Sequence, residues 1–82
     1  MSHTTSQRDG DPVRVGATIR QMREMRGMTQ EQLSSASMLS RSYVANVEAG
    51  RKRPSMKAVA RIAAALHVPQ ISIIATTVEV AA

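Results

Sequence analysis

Residues 27–50 read GMTQEQLSSASMLSRSYVANVEAG, and this stretch contains two helix-capping signals. Thr29 followed three residues later by Gln32 has the form of a capping box, in which each side chain satisfies a free N–H group at the start of a helix. Ser40 can cap a second segment, which has valines on one face and polar residues on the other. The stretch therefore predicts two short helices joined by a tight turn: residues 30–37 and 41–49.

Further helices are predicted on both sides of this stretch. Upstream, Asp11 can cap a helix that begins at Pro12, and apolar residues recur there at helical spacing: Val15, Ile19 and Met22. Downstream, Ser55 can cap a helix with one apolar stripe: Val59, Ile62, Ala63 and Leu66. Residues 70–80 fit either a short fifth helix or an extended chain, since isoleucines are followed there by Thr and Val. The predicted fold class is all-α, a compact bundle of four to five short helices with a C-terminal tail that is extended or helical.

Length and composition limit what this chain can build. Its 82 residues are enough for one domain, and a single aromatic side chain, Tyr43, leaves Val, Ile, Leu, Ala and Met to form the core. We expect three regions: a flexible N-terminal arm at 1–10, the helical domain at 11–74 and a C-terminal tail at 75–82. The absence of cysteine and of an apolar run long enough to span a bilayer predicts a soluble cytoplasmic protein.

The residues needed for common enzyme chemistry are missing from the sequence. It has no cysteine, no glycine-rich phosphate loop, and only His3 and His67 as histidines. Neither histidine has clustered carboxylates beside it, so no metal site and no catalytic triad is predicted. We therefore expect no enzymatic activity, no metal and no cofactor.

The charge balance is basic, with 11 Lys and Arg against 6 Asp and Glu and a formal net charge of +5. A surplus of this kind is common in proteins that bind phosphate polymers, although a solvated basic surface would have the same composition. The positions of the charges distinguish the two interpretations. Three cations stand in succession at residues 51–53, directly after the second helix of the opening stretch, and they favour nucleic acid as the partner.

The region from residue 16 to residue 69 resembles the Cro/C1-type (XRE-like) helix-turn-helix family, which includes phage repressors, restriction-modification controller proteins and antitoxins. Four groups of residues in the right order and spacing carry the resemblance: Gly27-Met28-Thr29-Gln30-Glu31, Leu39-Ser40-Arg41, Val47-Glu48-Ala49-Gly50, and Pro54-Ser55 before Ile62-Ala63 and Ala65-Leu66. The run from Leu39 to Tyr43 is similar to the controller proteins in particular. The resemblance implies a sequence-specific DNA-binding regulator of transcription that acts as a dimer on a pseudo-palindromic operator. The alternative is an antitoxin that binds a toxin protein and autoregulates its operon.

The resemblance also implies which side chains read the bases. An amphipathic helix of about two turns fits the major groove with its first residues against base edges. The predicted base-reading residues are Arg41, Ser42, Tyr43 and Asn46. Arg41 is the leading reader because its fork of donors matches guanine O6 and N7. Asn46 can pair with adenine or only with phosphate. Tyr43 can contact a thymine methyl group, bond phosphate or pack partly into the core.

A different set of residues is expected to hold the DNA backbone: Gln30, Ser40, Arg51, Lys52 and Arg53. Gln30 lies in the first turn of its helix, where its amide and the helix dipole can meet a phosphate. Cations in the loop after the reading helix lie where the family contacts the neighbouring sugar-phosphate chain. Arg23 and Glu48 occupy positions that pair across two helices in the family, so the resemblance gives them a structural role.

Apolar residues near the end of the sequence are predicted to form a dimer surface, since they need cover and one copy makes few DNA contacts. They are Leu66, Ile71, Ile73, Ile74 and Val78. The alternative is that the tail pairs with its copy in a second chain as a two-stranded ribbon, which its β-branched content permits.

Two positions depart from the family pattern. The family usually has glycine in the turn between its two helices, where this chain has Met38, and a side chain in a left-handed conformation costs about 1 kcal/mol. Ser34 stands where the family usually has alanine, and its hydroxyl can bond back to the carbonyl of Gln30.

Overall fold

The computed structural model describes residues 11–75 and places five α-helices in that range, with no strand among them. In chain order they are α1 (Pro12–Met25), α2 (Gln30–Ser37), α3 (Arg41–Glu48), α4 (Met56–Leu66) and α5 (Gln70–Ile74). The all-α prediction is confirmed, and α5 decides residues 70–74 in favour of the helical alternative. The predicted N-terminal arm at 1–10 lies outside the described residues, as does the tail from residue 76 onward, which includes Val78.

Side-chain caps start α2 and α3 at the residues that the sequence predicts. The Thr29 hydroxyl accepts a hydrogen bond from the Gln32 N–H at 3.0 Å, and the Gln32 carboxamide accepts from the Thr29 N–H at 2.8 Å, which completes the capping box. Ser40 Oγ accepts from the Tyr43 N–H at 3.0 Å. Each cap satisfies an N–H group that has no partner within its own helix, so the first turns of both helices are fixed.

The turn between α2 and α3 contains a left-handed residue other than glycine. Met38 has φ 61° and ψ 37°, and its side chain is 72% exposed. The Leu39 N–H donates to the Ser34 carbonyl at 3.0 Å and closes the end of α2. Met38 thus adopts the left-handed conformation for which the family uses glycine, at a cost of about 1 kcal/mol that its exposed side chain does little to offset.

The hydrophobic core lies where the longer helices meet. α1 packs on α3, α2 packs on both α3 and α4, and the short α5 lies against α1 and α4. The fully buried large side chains of the core are aliphatic: Val15, Ile19, Leu33, Val44, Val47, Val59, Ile62, Leu66 and Ile73. The apolar stripes predicted for α1, α3 and α4 all contribute to it.

The buried face of α2 is partly polar. Leu33, Ser34 and Ser37 are buried there, whereas Ala36 is exposed. Ser37 Oγ donates to the carbonyl four residues earlier at 2.6 Å, and Ser34 Oγ donates to the Glu31 carbonyl at 3.1 Å. Because these bonds within the helix satisfy both hydroxyl groups, neither is buried without a hydrogen-bond partner. The predicted bond from Ser34 to Gln30 is wrong by one residue, because the hydroxyl bonds to Glu31 instead.

Two residues predicted for a dimer surface belong to the core of the chain instead. Leu66 of α4 and Ile73 of α5 are both 0% exposed, because α5 packs against α4 and α1 within the same chain. Ile71 is 59% exposed and Ile74 is half-buried. Of the described candidates, only these last two can contact a second copy without unfolding α5.

α1 and α3 meet at a glycine that no sequence motif distinguishes. Gly16 is buried in α1, and a Cβ atom added there would overlap the Val47 carbonyl oxygen and lie 2.9 Å from the Glu48 carbonyl oxygen. The two backbones can approach this closely only because glycine has no side chain. Gly16 therefore sets the position of the C-terminal end of α3.

Candidate nucleic-acid interface

The N-terminal turn of α3 carries exposed polar side chains. Arg41 and Ser42 follow the Ser40 cap directly, and both are exposed. Within the described range of the chain, no hydrogen bond or ion pair occupies the Arg41 guanidinium. Its donors can therefore bind a ligand without first breaking a contact in that range.

Tyr43 joins α3 to the start of α4. Its side chain is half-buried and packs against the core, and its hydroxyl accepts from the Ser55 N–H at 3.1 Å. Lys52 Nζ lies 5.5 Å from the centre of the Tyr43 ring, which is a cation–π distance. The partial core packing considered for Tyr43 is present, and its contact with DNA stays a prediction.

Asn46, near the C-terminal end of α3, is held by two bonds from Arg51. The Arg51 backbone N–H donates to the Asn46 carbonyl at 3.0 Å, and Arg51 Nε donates to Asn46 Oδ1, also at 3.0 Å. The backbone bond belongs to a Schellman turn, in which Gly50 has φ 81° and donates to the Val47 carbonyl at 3.0 Å. Because this turn closes the helix, α3 ends at Glu48, one residue before the predicted end.

Two cations of the loop at 51–53 contact side chains of α3. All three of its cations are exposed, whereas Pro54 behind them is buried. Arg51 bonds to Asn46, and Lys52 lies over Tyr43. Two of the predicted backbone-binding cations therefore contact predicted base-reading residues directly.

A buried ion pair fixes α1 against α3. Arg23 Nε donates to Glu48 Oε2 at 2.7 Å, and Arg23 Nη2 donates to Glu48 Oε1 at 3.0 Å. Only 10% of the Arg23 side chain and 2% of the Glu48 side chain are exposed. The hydrogen bond to Glu48 raises the pKa of Arg23 above its usual value, although burial alone would lower it. The two side chains form the pair that the resemblance implies.

The same carboxylate also reaches α2. Gln30 Nε2 donates to Glu48 Oε1 at 3.0 Å, and Arg23 Nη1 donates to the Met28 carbonyl at 2.7 Å. Glu48 thus connects α1, α3 and the first turn of α2. One N–H of the Gln30 amide is used in this way, so a phosphate contact there would use the second N–H or the backbone of the first turn.

A further cation, Arg14, connects the first and last helices of the described range. Arg14 Nη2 donates to the Ile74 carbonyl at 2.7 Å and so fastens α5 to α1, while Arg14 Nε is buried with no hydrogen-bond partner in residues 11–75. No sequence pattern indicates this contact, because its partner is a backbone atom 60 residues away. The same range contains no cluster of His, Cys, Asp and Glu that could hold a metal, and no helix there is long and apolar enough to cross a membrane.

A family model described as helix-turn-helix matches residues 19–69, which is more than half of the chain. The matched segment contains α2, the Met38 turn, α3, the basic loop and α4. The chain therefore belongs to the helix-turn-helix family of DNA-binding transcription regulators.

Three proteins similar to this chain are regulators of transcription, repressors or controller proteins by name. An uncharacterised HTH-type transcriptional regulator of Sinorhizobium fredii is 31% identical over 65 residues, which cover 79% of this chain and 84% of that protein. The immunity repressor protein of Bacillus phage phi105 is 42% identical over 60 residues, which cover 73% of this chain but only 41% of the repressor. Among solved structures, the restriction-modification controller protein C.AhdI from Aeromonas hydrophila has a TM-score of 0.76 at 34% identity, and the match covers 78% of this chain and 97% of that one. None of these three is named as an antitoxin, so the antitoxin alternative gains no support from them.

Proposed function

We propose that this regulator binds double-stranded DNA sequence-specifically, as a dimer on a pseudo-palindromic operator, with α3 of each copy in the major groove. The exposed Arg41 guanidinium at the start of α3, with no partner in residues 11–75, carries the proposal. Guanine presents two acceptors in the major groove, N7 and O6, and the Arg41 fork binds both. Ser42, Tyr43 and Asn46 lie on the same helix and contact neighbouring bases.

Residues around α3 hold the DNA backbone in this proposal: Gln30, Ser40, Lys52 and Arg53. The first turns of α2 and α3 offer N–H groups and the positive end of a helix dipole to phosphate. The loop cations add contacts that depend on charge alone, so they increase affinity for every sequence and make it dependent on salt. The formal net charge of +5 supports the same assignment.

A second copy of the chain is part of the proposal because one α3 reads only one half-site. The exposed Ile71 and the half-buried Ile74 of α5 support an apolar contact between copies. The similarity to a controller protein and to a phage repressor favours a regulator of that type. Co-purification of a second, different protein with the chain would favour the antitoxin alternative instead.

Arg41→Ala is expected to reduce affinity for the operator by about 1–3 kcal/mol per half-site and to relax preference at one base pair, since the guanine would lose two hydrogen bonds. Lys52→Ala is the matched comparison. Loss of a phosphate contact should weaken binding to all sequences alike and reduce the salt slope by about one unit. The operator is first selected from a library of randomised duplexes. Both variants are then titrated with the labelled operator and with a scrambled duplex at several salt concentrations.

The proposed role of Arg41 fails if Arg41→Ala weakens operator and scrambled duplex equally. Specificity would then come from the other residues of α3 or from DNA shape. An unchanged affinity of Lys52→Ala for both duplexes at every salt concentration would remove Lys52 from the phosphate contacts.

The intact chain is expected to sediment as a dimer at tens of micromolar, and Ile71→Asp is expected to convert it to a monomer, because a carboxylate would be placed in the apolar contact. Met38→Asp is the control, since Met38 is 72% exposed and lies in the turn between α2 and α3, outside α5. Sedimentation equilibrium measures both variants. A dimer that persists in Ile71→Asp would show that copies meet elsewhere.

A further inference from the structure

The hydrogen bond between Arg51 and Asn46 gives Arg51 a role that its place in the basic loop does not predict. We propose that Arg51 determines base specificity by acting on Asn46: it engages the amide oxygen, so that Asn46 presents N–H donors to the DNA. The inference rests on the proposed function, in which α3 lies in the major groove. It makes Arg51 a positioning residue, in contrast to the phosphate contact predicted from the sequence.

The geometry fixes which way the Asn46 amide faces. Arg51 Nε lies 3.0 Å from Asn46 Oδ1, and a guanidinium nitrogen can only donate. The oxygen of the amide therefore faces Arg51, and the Nδ2 group with its two N–H donors faces away from it. A side chain that would otherwise turn about its last torsion is held in one orientation.

The backbone also holds the two residues together. The Schellman turn bonds the Arg51 N–H to the Asn46 carbonyl at 3.0 Å, so the Arg51 side chain starts directly beside the turn of α3 that carries Asn46. Gly50 permits this turn through its φ of 81°. The main chain therefore keeps the Arg51 backbone close to Asn46, within reach of the Arg51 side chain.

The orientation of the amide changes which base edge it matches. An unrestrained asparagine offers one acceptor and one donor together, which fits the N6 donor and N7 acceptor of adenine. With Oδ1 engaged by Arg51, Asn46 offers its Nδ2 donors, and the nearby guanidinium charge adds further attraction for acceptors. The matching edges are those of guanine, with N7 and O6, and of thymine, with O4. The pair therefore selects an acceptor-rich edge over adenine.

Lys52 provides a matched control for this role. It has the same charge in the same loop, but its ammonium lies over the Tyr43 ring and has no hydrogen bond to Asn46 in the described part of the chain. If charge in the loop were sufficient, both residues would act alike. If Arg51 acts through the amide, only Arg51 changes base preference.

The experiment uses the full chain and a library of duplexes with a randomised central segment. The selected duplex is then changed one base pair at a time, and affinities are measured for the wild type, Arg51→Ala, Asn46→Ala and the double variant. The wild type is expected to prefer guanine or thymine over adenine at one position per half-site by at least about fivefold. Arg51→Ala is expected to shift that preference towards adenine by at least about fivefold, whereas the same change in the Asn46→Ala background leaves relative preferences unchanged.

The controls distinguish this inference from a phosphate contact. Lys52→Ala should weaken all duplexes alike, and Arg51→Met, which keeps the aliphatic stem, should shift base preference as Arg51→Ala does. The inference is overturned if Arg51→Ala lowers all affinities equally, or if it changes preference to the same extent with and without Asn46. A wild-type chain that enriches no sequence would contradict the proposed function itself. Enrichment of a sequence with no change in preference for Arg51→Ala would contradict this inference alone.

Discussion

Replacing Gly16 by alanine is expected to destabilise the protein by about 3 kcal/mol or more, although the same change in an ordinary helix interior is favourable by about 0.5–1 kcal/mol. The sign is reversed because the new Cβ atom would overlap the Val47 carbonyl oxygen of α3. That neighbour is a backbone atom, so it moves only if α1 and α3 separate. Circular dichroism should record a melting temperature lower by at least about 10 °C.

Gly27→Ala is the control for this prediction. Gly27 has φ 70° in the loop after α1, and a Cβ atom there would have no neighbour within 4 Å. Its substitution should cost only the strain of a left-handed alanine, about 1 kcal/mol. A Gly16→Ala variant that melts at or above the temperature of Gly27→Ala would show that the helices can part at little cost.

Glu48→Ala is expected to cost about 3 kcal/mol or more, because the buried Arg23 guanidinium would keep only the more distant, half-exposed Glu24 carboxylate, 3.9 Å away, as a counter-charge. The Glu48 side chain is 2% exposed and receives three hydrogen bonds: two from Arg23 and one from Gln30. All three donors would lose their acceptor at once, and water has little access to replace it. Thermal melts measure the loss.

A second ion pair on the surface of α1 supplies the comparison. Glu24 bonds to Arg20 at 3.1 Å, and these side chains are 55% and 64% exposed, respectively. Arg20→Ala should change stability by no more than about 0.5 kcal/mol, since water screens an exposed pair and this change leaves Glu24 and Glu48 in place beside Arg23. If Glu48→Ala and Arg20→Ala have the same melting temperature, the buried pair contributes no more to stability than an exposed one.

The helices follow from local signals, because caps and apolar periodicity act over a few residues. The Thr29 box and the Ser40 cap placed the starts of α2 and α3 correctly. The burial of Ser37 could not be predicted in this way, since its hydroxyl is satisfied within the helix and leaves no trace in the pattern. The apolar residues Leu66 and Ile73 show in the sequence only that they need cover, and the structure shows that α4, α5 and α1 of the same chain bury them.

In the candidate site, too, local sequence signals predict some features and not others. The exposure of Arg41 follows from its place after a cap on the polar face of an amphipathic helix. The contacts of Arg51 with Asn46 and of Lys52 with Tyr43 depend on the path of a short loop, which residue types alone do not specify. The close approach at Gly16 involves backbone atoms of α3, so no side chain reveals it in the sequence.

Dimethyl sulfate footprinting on the selected operator tests most directly whether α3 reads base edges in the major groove. The reagent methylates guanine N7, which lies in the major groove, and adenine N3, which lies in the minor groove. The wild-type protein is expected to protect guanine N7 symmetrically in two half-sites, and Arg41→Ala is expected to lose protection at one guanine in each. Protection of adenine N3 alone, or no protected guanine N7 at a protein concentration that saturates the duplex, would contradict base reading by α3 in the major groove.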